Sequence, residues 1–152
     1  MSSKLPVLKR IEVLYGLVEQ MHSVALRQAV ALVHEVETVI AEQSEQIRCA
    51  RSDALEAMLH GNRENRALAD VQREIGGRKR QQLEAVCRVR KIASDRARED
   101  YDTSRLKSEQ VKSIVESNQS AIQLIEDRRT QASSDDRFLS RLRWNQLRLD
   151  EV

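Results

Sequence analysis

Side chains that could carry out catalysis or bind a metal are few and widely separated in this sequence. Cys49 and Cys87 lack the spacing of a Cys-x-x-Cys pair, and His22, His34 and His60 are equally scattered. No motif for a phosphate-binding loop, a dinucleotide site, a zinc hydrolase or a serine nucleophile elbow occurs. We therefore expect no catalytic residue, no cofactor and no metal site, and we expect that the protein is not an enzyme. The isolated thiols, with no signal-like or membrane-spanning apolar segment, predict a cytoplasmic location.

Charge is balanced over the whole chain but unevenly distributed along it. The 26 basic and 24 acidic side chains leave a formal charge of +2. Residues 11–47 hold six acids and one base, whereas residues 78–98 hold eight bases and two acids. No aromatic residue is interleaved with these bases for stacking on nucleobases. We expect no nucleic-acid partner and no stable membrane insertion; a helical nucleic-acid-binding protein stays as a minor alternative.

Long helices are predicted because the residues that end helices are almost absent. No proline follows Pro6, and only four glycines occur in 152 residues. Charged residues make up 33% of the chain and aromatic residues only 3%, which fits an elongated helical body better than a globular core. The predicted fold class is all-α: a long antiparallel two-helix coiled-coil hairpin with a short C-terminal helix, in a single domain over 1–152.

Apolar residues of the first helix recur at coiled-coil spacing. The row at heptad position a contains Leu8, Tyr15, Ala29 and Val36, and the row at position d contains Ile11, Val18, Ala25, Leu32 and Val39. Two further rows widen the stripe, one with Leu26, Val33, Ile40 and Ile47, the other with Val7, Leu14 and Met21. A stripe this wide predicts burial against more than one partner helix.

Two glycine sites compete for the chain reversal. Gly61 and Asn62 both tolerate a positive φ, whereas Gly76-Gly77 would divide the chain into arms of similar length. Reversal at Gly61 sets the basic residues 78–98 against acidic residues, and reversal at Gly76-Gly77 sets them against a segment of mixed charge. We favour a first helix over about 5–60, a turn at about 61–64 and a second helix over about 65–131, with Gly76-Gly77 as a soft point inside it.

The end of the chain predicts a separate short helix. The run Ala132-Ser133-Ser134-Asp135-Asp136 is interpreted as a helix stop followed by a new N-cap. A basic amphipathic tail helix is then predicted over about 135–149. It either folds back on the wide stripe of the first helix or docks on a partner, with a membrane surface as a third possibility.

Three stretches carry a resemblance to a known family. They are Leu8-Lys9-Arg10-Ile11-Glu12-Val13-Leu14, Arg80-Gln81-Gln82-Leu83, and Glu126-Asp127-Arg128-Arg129 leading to Asp135-Asp136-Arg137-Phe138. Together with the length and plan of the chain, they resemble the FliJ/YscO-type stalk proteins of flagellar and injectisome type III secretion systems. The resemblance implies a two-helix antiparallel coiled coil that inserts its terminal end into the hexameric secretion ATPase. It also implies contact with the export gate and with secretion chaperones, at the cytoplasmic side of the inner-membrane export apparatus.

The same resemblance implies two sets of partner-binding residues. On the export-gate side they are Leu68, Val71 and Ile75, just after the turn and without the aromatic residue that the family has there. On the ATPase side they are Leu8, Ile11, Phe138 and Trp144. A general coiled-coil adaptor or scaffold in another bacterial assembly remains the alternative function.

Overall fold

Two long helices packed against each other form the fold. The computed structural model describes residues 4–150, with side chains described up to residue 146. Helix α1 spans Lys4–Leu59 and helix α2 spans Arg63–Asp150, and no strand occurs in this described range. The predicted all-α class is therefore confirmed, and Pro6 fits the first turn of α1 because its missing N–H is not needed there. The outermost residues of the predicted domain 1–152, and the side chains of residues 147–149 in the predicted tail helix, lie outside the described part.

The chain reverses at His60–Asn62, between α1 and α2. Gly61 has a φ of 69°, a conformation that glycine adopts without strain. The Asn62 N–H donates to the Ala57 carbonyl at 2.9 Å and the Gly61 N–H donates to the Met58 carbonyl at 3.3 Å, the two hydrogen bonds of a Schellman motif. The Asn62 side chain then accepts from the Asn65 N–H at 3.1 Å and caps the start of α2. Gly76 and Gly77 lie within α2.

The predicted helix stop at Ala132–Asp136 is wrong, because α2 continues through it to Asp150. Neither glycine nor proline occurs in this run, and serine and aspartate each cost only about 0.5 kcal/mol relative to alanine in a helix. The segment predicted as a separate tail helix is the last part of α2. It does not fold back, since every described side chain from residue 123 to residue 146 is exposed.

Packing of the chain divides it into two compact units. One consists of Leu17–Arg105, and the other combines Met1–Gly16 with Leu106–Val152. Within Leu17–Arg105 the contacts between the helices follow a regular order: Ile47 lies against Gly76, and Leu32 and Glu35 contact Arg90. As the residue number falls along α1, that of the α2 partner rises.

The buried positions of Leu17–Arg105 are mostly small. Side chains with less than a tenth of their surface exposed are Val36, Ala50, Ala54, Ala57, Ala69, Cys87, Ser94 and Ser104. Gly76 is also buried, and a Cβ atom placed on it would lie 2.9 Å from Ile47 Cγ1. The helices therefore approach closely, and the glycine pair that was predicted as a soft point contains a contact residue.

Within Leu17–Arg105, one predicted seam row of α1 is wrong. Val18, Leu32 and Val39 from the row at position d are exposed, whereas the neighbouring row with Leu26, Val33, Ile40 and Ile47 is half-buried. Both rows adjoin the first seam row, and a pair of helices buries only one of them. In steps of seven residues toward the turn, the exposed row continues with Gln46 and Asp53, whereas the half-buried row continues with Ala54. Burial of the second row thus keeps polar side chains in water.

Among the described side chains of the unit formed by Met1–Gly16 and Leu106–Val152, Val115 has the lowest exposure, at 2%. Leu5 and Leu8 on α1 and Val111 and Ile122 on α2 are half-buried. Burial ends after Ile122, and the described part of α2 beyond it has no buried or half-buried side chain.

Candidate interaction surfaces

The three residues predicted for the export-gate side lie on the outer surface of α2. Leu68, Val71 and Ile75 are separated by three and four residues, a spacing that places them on one face of a helix. All three are about half exposed, while the adjacent Ala69 is 3% exposed in the contact with α1. The structure therefore brings these side chains together on one solvent-facing stripe.

The four residues predicted for the ATPase side fall into two different environments. Leu8 and Ile11 are half-buried on α1, whereas Phe138 and Trp144 keep 62% and 63% of their surface exposed on α2. Phe138 and Trp144 belong to the stretch of α2 in which every described side chain is exposed. Phe138 and Trp144 thus do not form a buried cluster with Leu8 and Ile11.

Three exposed residues at the end of α1 were not predicted as a surface. Leu55, Met58 and Leu59 precede the turn, and Leu59 is 86% exposed, the highest value among the exposed large apolar residues of the described chain. Their spacing in the sequence could have predicted an exposed apolar surface. Leu55, Met58 and Leu59 alternate with Ala54 and Ala57 just before Gly61, and residues placed in this way cannot all face one partner helix. Both helices consequently expose aliphatic side chains close to the reversal.

One edge of the helix pair in Leu17–Arg105 is apolar, and we call it the apolar edge. It consists of Leu32 and Val39 on α1 and Val86 on α2, all exposed. Leu32 and Val39 each directly precede a half-buried residue of the α1 seam, and Val86 directly precedes the buried Cys87 of α2. Because each of the three residues directly precedes a seam residue of its own helix, we infer that their side chains lie along one groove of the helix pair.

Charged side chains also join the two helices of this unit. On the edge opposite the apolar edge, the Lys91 ammonium contacts the Glu37 carboxylate at 2.8 Å, and this hydrogen bond lowers the pKa of Glu37 and raises the pKa of Lys91. Arg90 is half-buried between the helices, where it donates to the Leu32 carbonyl at 2.9 Å and lies 3.6 Å from the Glu35 carboxylate. The acidic segment of α1 and the basic segment of α2 are therefore in contact, as the charge pattern predicts.

Other basic side chains of α2 pair within their own helix. Arg78 contacts Glu74 at 2.6 Å and Arg80 contacts Glu84 at 2.8 Å. These are exposed pairs at i,i+4 spacing, which contribute a few tenths of a kcal/mol each. The basic segment is thus partly neutralised by acids of the same chain.

The described residues offer no group suited to metal chemistry. No three His, Cys, Asp or Glu side chains in that part of the chain lie close enough to hold an ion. Cys49 is exposed and Cys87 is buried, and both are free thiols. No helix within the described range is both long and apolar enough to cross a bilayer.

The chain matches no family model, no curated protein and no solved structure.

Proposed function

We propose that this protein is a non-enzymatic central stalk and escort component of a type III protein secretion ATPase complex. In this function the two helices form an antiparallel coiled-coil hairpin. The hairpin inserts into the hexameric ATPase ring and links the ring to the export gate and to secretion chaperones. The protein acts in the cytoplasm, peripheral to the inner-membrane export apparatus.

The antiparallel coiled coil is supported by the contacts within Leu17–Arg105. Residues with lower numbers on α1 contact residues with higher numbers on α2. The less exposed positions of both helices are separated alternately by three and four residues. The Schellman turn at Gly61 provides the reversal that such a hairpin requires. The inferred architecture is the one that the resemblance implies.

The observation that carries the functional proposal is the exposure of large apolar side chains. Leu59 and Leu68 flank the turn, and Phe138 and Trp144 lie on the exposed part of α2. Exposed apolar surface of this extent is typical of proteins that bind other proteins. We assign Leu68, Val71 and Ile75 to the export gate, and the four residues Leu8, Ile11, Phe138 and Trp144 to the ATPase ring.

A reconstitution with the hexameric secretion ATPase of the same organism tests this proposal. The full-length protein is expected to promote ring assembly and to raise the rate of ATP hydrolysis. Replacing Phe138 and Trp144 together by alanine should remove most of the stimulation, while the neighbouring polar substitution Asn145→Ala should leave it intact. An ATPase whose assembly and turnover do not respond to the wild-type protein would contradict the proposal.

A general coiled-coil adaptor is the second candidate function, and the apolar edge favours it. Leu32, Val39 and Val86 form a groove that a third helix could fill. An adaptor of another assembly would bind no secretion ATPase, and its neighbouring genes would encode no export apparatus. In a type III stalk, by contrast, Val86→Asp should leave the ATPase stimulation unchanged.

A further inference from the structure

The last described part of α2 has no buried side chain. Side chains from residue 123 to residue 146 are all exposed, including Ile125, Leu139 and Leu142. In proteins most of the stability of a helix comes from packing of its apolar face against another element. Its apolar side chains therefore point to a surface that another helix covers.

The residues on one face of this segment are arranged symmetrically about Ala132. Counting outward by three, seven and ten residues gives Arg129, Ile125 and Ile122 on one side and Asp135, Leu139 and Leu142 on the other. These intervals keep all of the residues on one helix face. The order apolar, apolar, basic, alanine, acidic, apolar, apolar has the symmetry that a helix needs in order to pair with an antiparallel copy of itself.

The charged residues next to Ala132 are also placed symmetrically, with basic residues before it and acidic residues at the same distances after it. Arg128 and Arg129 precede Ala132 by four and three residues, and Asp135 and Asp136 follow it by three and four. None of these four side chains forms an ion pair among the described residues. Arg128, Asp135 and Asp136 also have no opposite charge three or four residues away on their own helix.

We propose that this protein forms a homodimer through residues 122–142 of α2, with the two copies antiparallel and a two-fold axis passing beside Ala132. In this pairing Ile125 packs against Leu139 of the second copy, and the small Ala132 side chains let the helices approach at the axis. The interface extends over about 30 Å of helix at 1.5 Å per residue. The proposal goes beyond the stalk function.

Charge complementarity selects this arrangement. In an antiparallel helix pair, residues on one side of the apolar seam lie next to residues on the same side of the seam in the other helix. Arg129 therefore lies beside Asp136 of the second copy, and Arg128 lies beside Asp135 of the second copy. The two-fold axis repeats both pairs and gives four attractive contacts. A parallel, in-register pairing would instead place arginine beside arginine and aspartate beside aspartate.

Phe138 and Trp144 are left outside this interface. They follow Ala132 by six and twelve residues, which turns them about 120° away from the centre of the paired face. The dimer therefore keeps both aromatic side chains accessible to other proteins.

The mass of the full-length protein in solution is the first test. Light scattering behind size exclusion, over a dilution series, is expected to give twice the 17.5 kDa of one chain at high concentration. A chain that stays monomeric at every concentration up to several hundred micromolar would overturn the proposal.

A pair of charge reversals tests the interface itself. Arg129→Asp and Asp136→Arg each create two like-charge contacts in the homodimer, so each variant alone should dimerise at least about tenfold more weakly. Mixing the two variants restores attractive contacts and should restore the dimer. Far-UV circular dichroism should show unchanged helix content in both variants. A dimer that is insensitive to either reversal, for example one formed through the apolar edge, would contradict the proposal.

Cysteine cross-linking then tests the register. Ala132→Cys places the two thiols at the axis, where oxidation should give a 132–132 disulfide identified by peptide mapping. Ser134→Cys is the matched control, because residue 134 lies on the opposite face of the helix. Equal cross-linking of both variants would overturn the proposed register.

Discussion

The Leu17–Arg105 unit and the last described part of α2 use apolar residues in opposite ways. In Leu17–Arg105 most of the buried positions are filled by small side chains such as Ala54, Ala57 and Ala69, and many larger aliphatic side chains are exposed. From residue 123 to residue 146 no side chain is buried, although leucine, isoleucine, phenylalanine and tryptophan all occur there. A large hydrophobic residue in this protein is therefore not by itself a sign of the core. Small residues fill most of the buried positions, and many of the large ones lie on surfaces available to other molecules.

The largest effect is expected where a larger side chain is almost completely buried. Val115→Asp places a carboxylate at a position that is 2% exposed, and should lower the free energy of unfolding by about 3 kcal/mol or more. The neighbouring substitution Ile114→Asp, at a position that is 50% exposed, is the control and should cost less than about 1 kcal/mol. Urea denaturation followed by circular dichroism measures both. Equal losses of unfolding free energy in the two variants would contradict the burial of Val115.

Overpacking tests the small-residue contact of Leu17–Arg105. Ala69→Leu inserts a large side chain where the helices meet, and should destabilise the protein by about 1–3 kcal/mol. Ala67 is exposed on the same turn of α2, so Ala67→Leu should change the stability by no more than about 0.5 kcal/mol. The two denaturation midpoints distinguish a close contact from a loose one. A tolerated leucine at 69 would mean that the helices separate easily.

Substitution of the two glycines inside α2 tests the same contact with a smaller expected change in stability, because only Gly76 faces α1. Gly77→Ala meets no atom within 4 Å and should stabilise the helix by about 0.5–1 kcal/mol. Gly76→Ala gains the same helix propensity but brings its Cβ to 2.9 Å from Ile47 Cγ1, which must move. We expect a difference in stability between the two variants of about 1–2 kcal/mol. Thermal unfolding of the pair measures it, and a Gly76→Ala variant as stable as Gly77→Ala would contradict the close approach.

The smallest effect concerns the ion pair between Glu37 of α1 and Lys91 of α2. The hydrogen bond from Lys91 holds the pKa of Glu37 below its ordinary value of 4.5, so the stabilisation is present above that pH and is lost as the pH falls through the lowered value. Lys91→Gln should return the pKa of Glu37 toward 4.5, as measured by NMR titration of the carboxyl carbon. Lys79→Gln is the control, since Lys79 forms no ion pair with Glu37. A pKa that is the same in both variants would show that the contact at 2.8 Å is not maintained in solution.

Much of the fold could be predicted because it depends on local chemistry. The lack of proline after Pro6 predicts long helices, and Gly61-Asn62 predicts the position of the reversal. The boundary at Ala132–Asp136 could not be predicted in this way. Serine and aspartate are common at helix starts, yet they also continue a helix at small cost when no glycine or proline breaks it.

The candidate surfaces were only partly predictable. Leu68, Val71 and Ile75 are exposed together on one stripe of α2, but Leu8 and Ile11 are half-buried while Phe138 and Trp144 are exposed. Local sequence does not distinguish an apolar side chain that meets the other helix from one that faces solvent. Leu55, Met58 and Leu59 were missed for the same reason.

The helices, the turn and the complementary charges of α1 and α2 follow from the sequence alone, because propensity, glycine conformation and charge act over a few residues. Which apolar row faces α2 is settled by tertiary contacts. Leu32 and Leu26 are both apolar and both adjoin the seam, yet only Leu26 is half-buried in the structure while Leu32 is exposed. The role of Gly76 as a point of contact is likewise a tertiary property, since the approach of Ile47 comes from a residue far away in the chain.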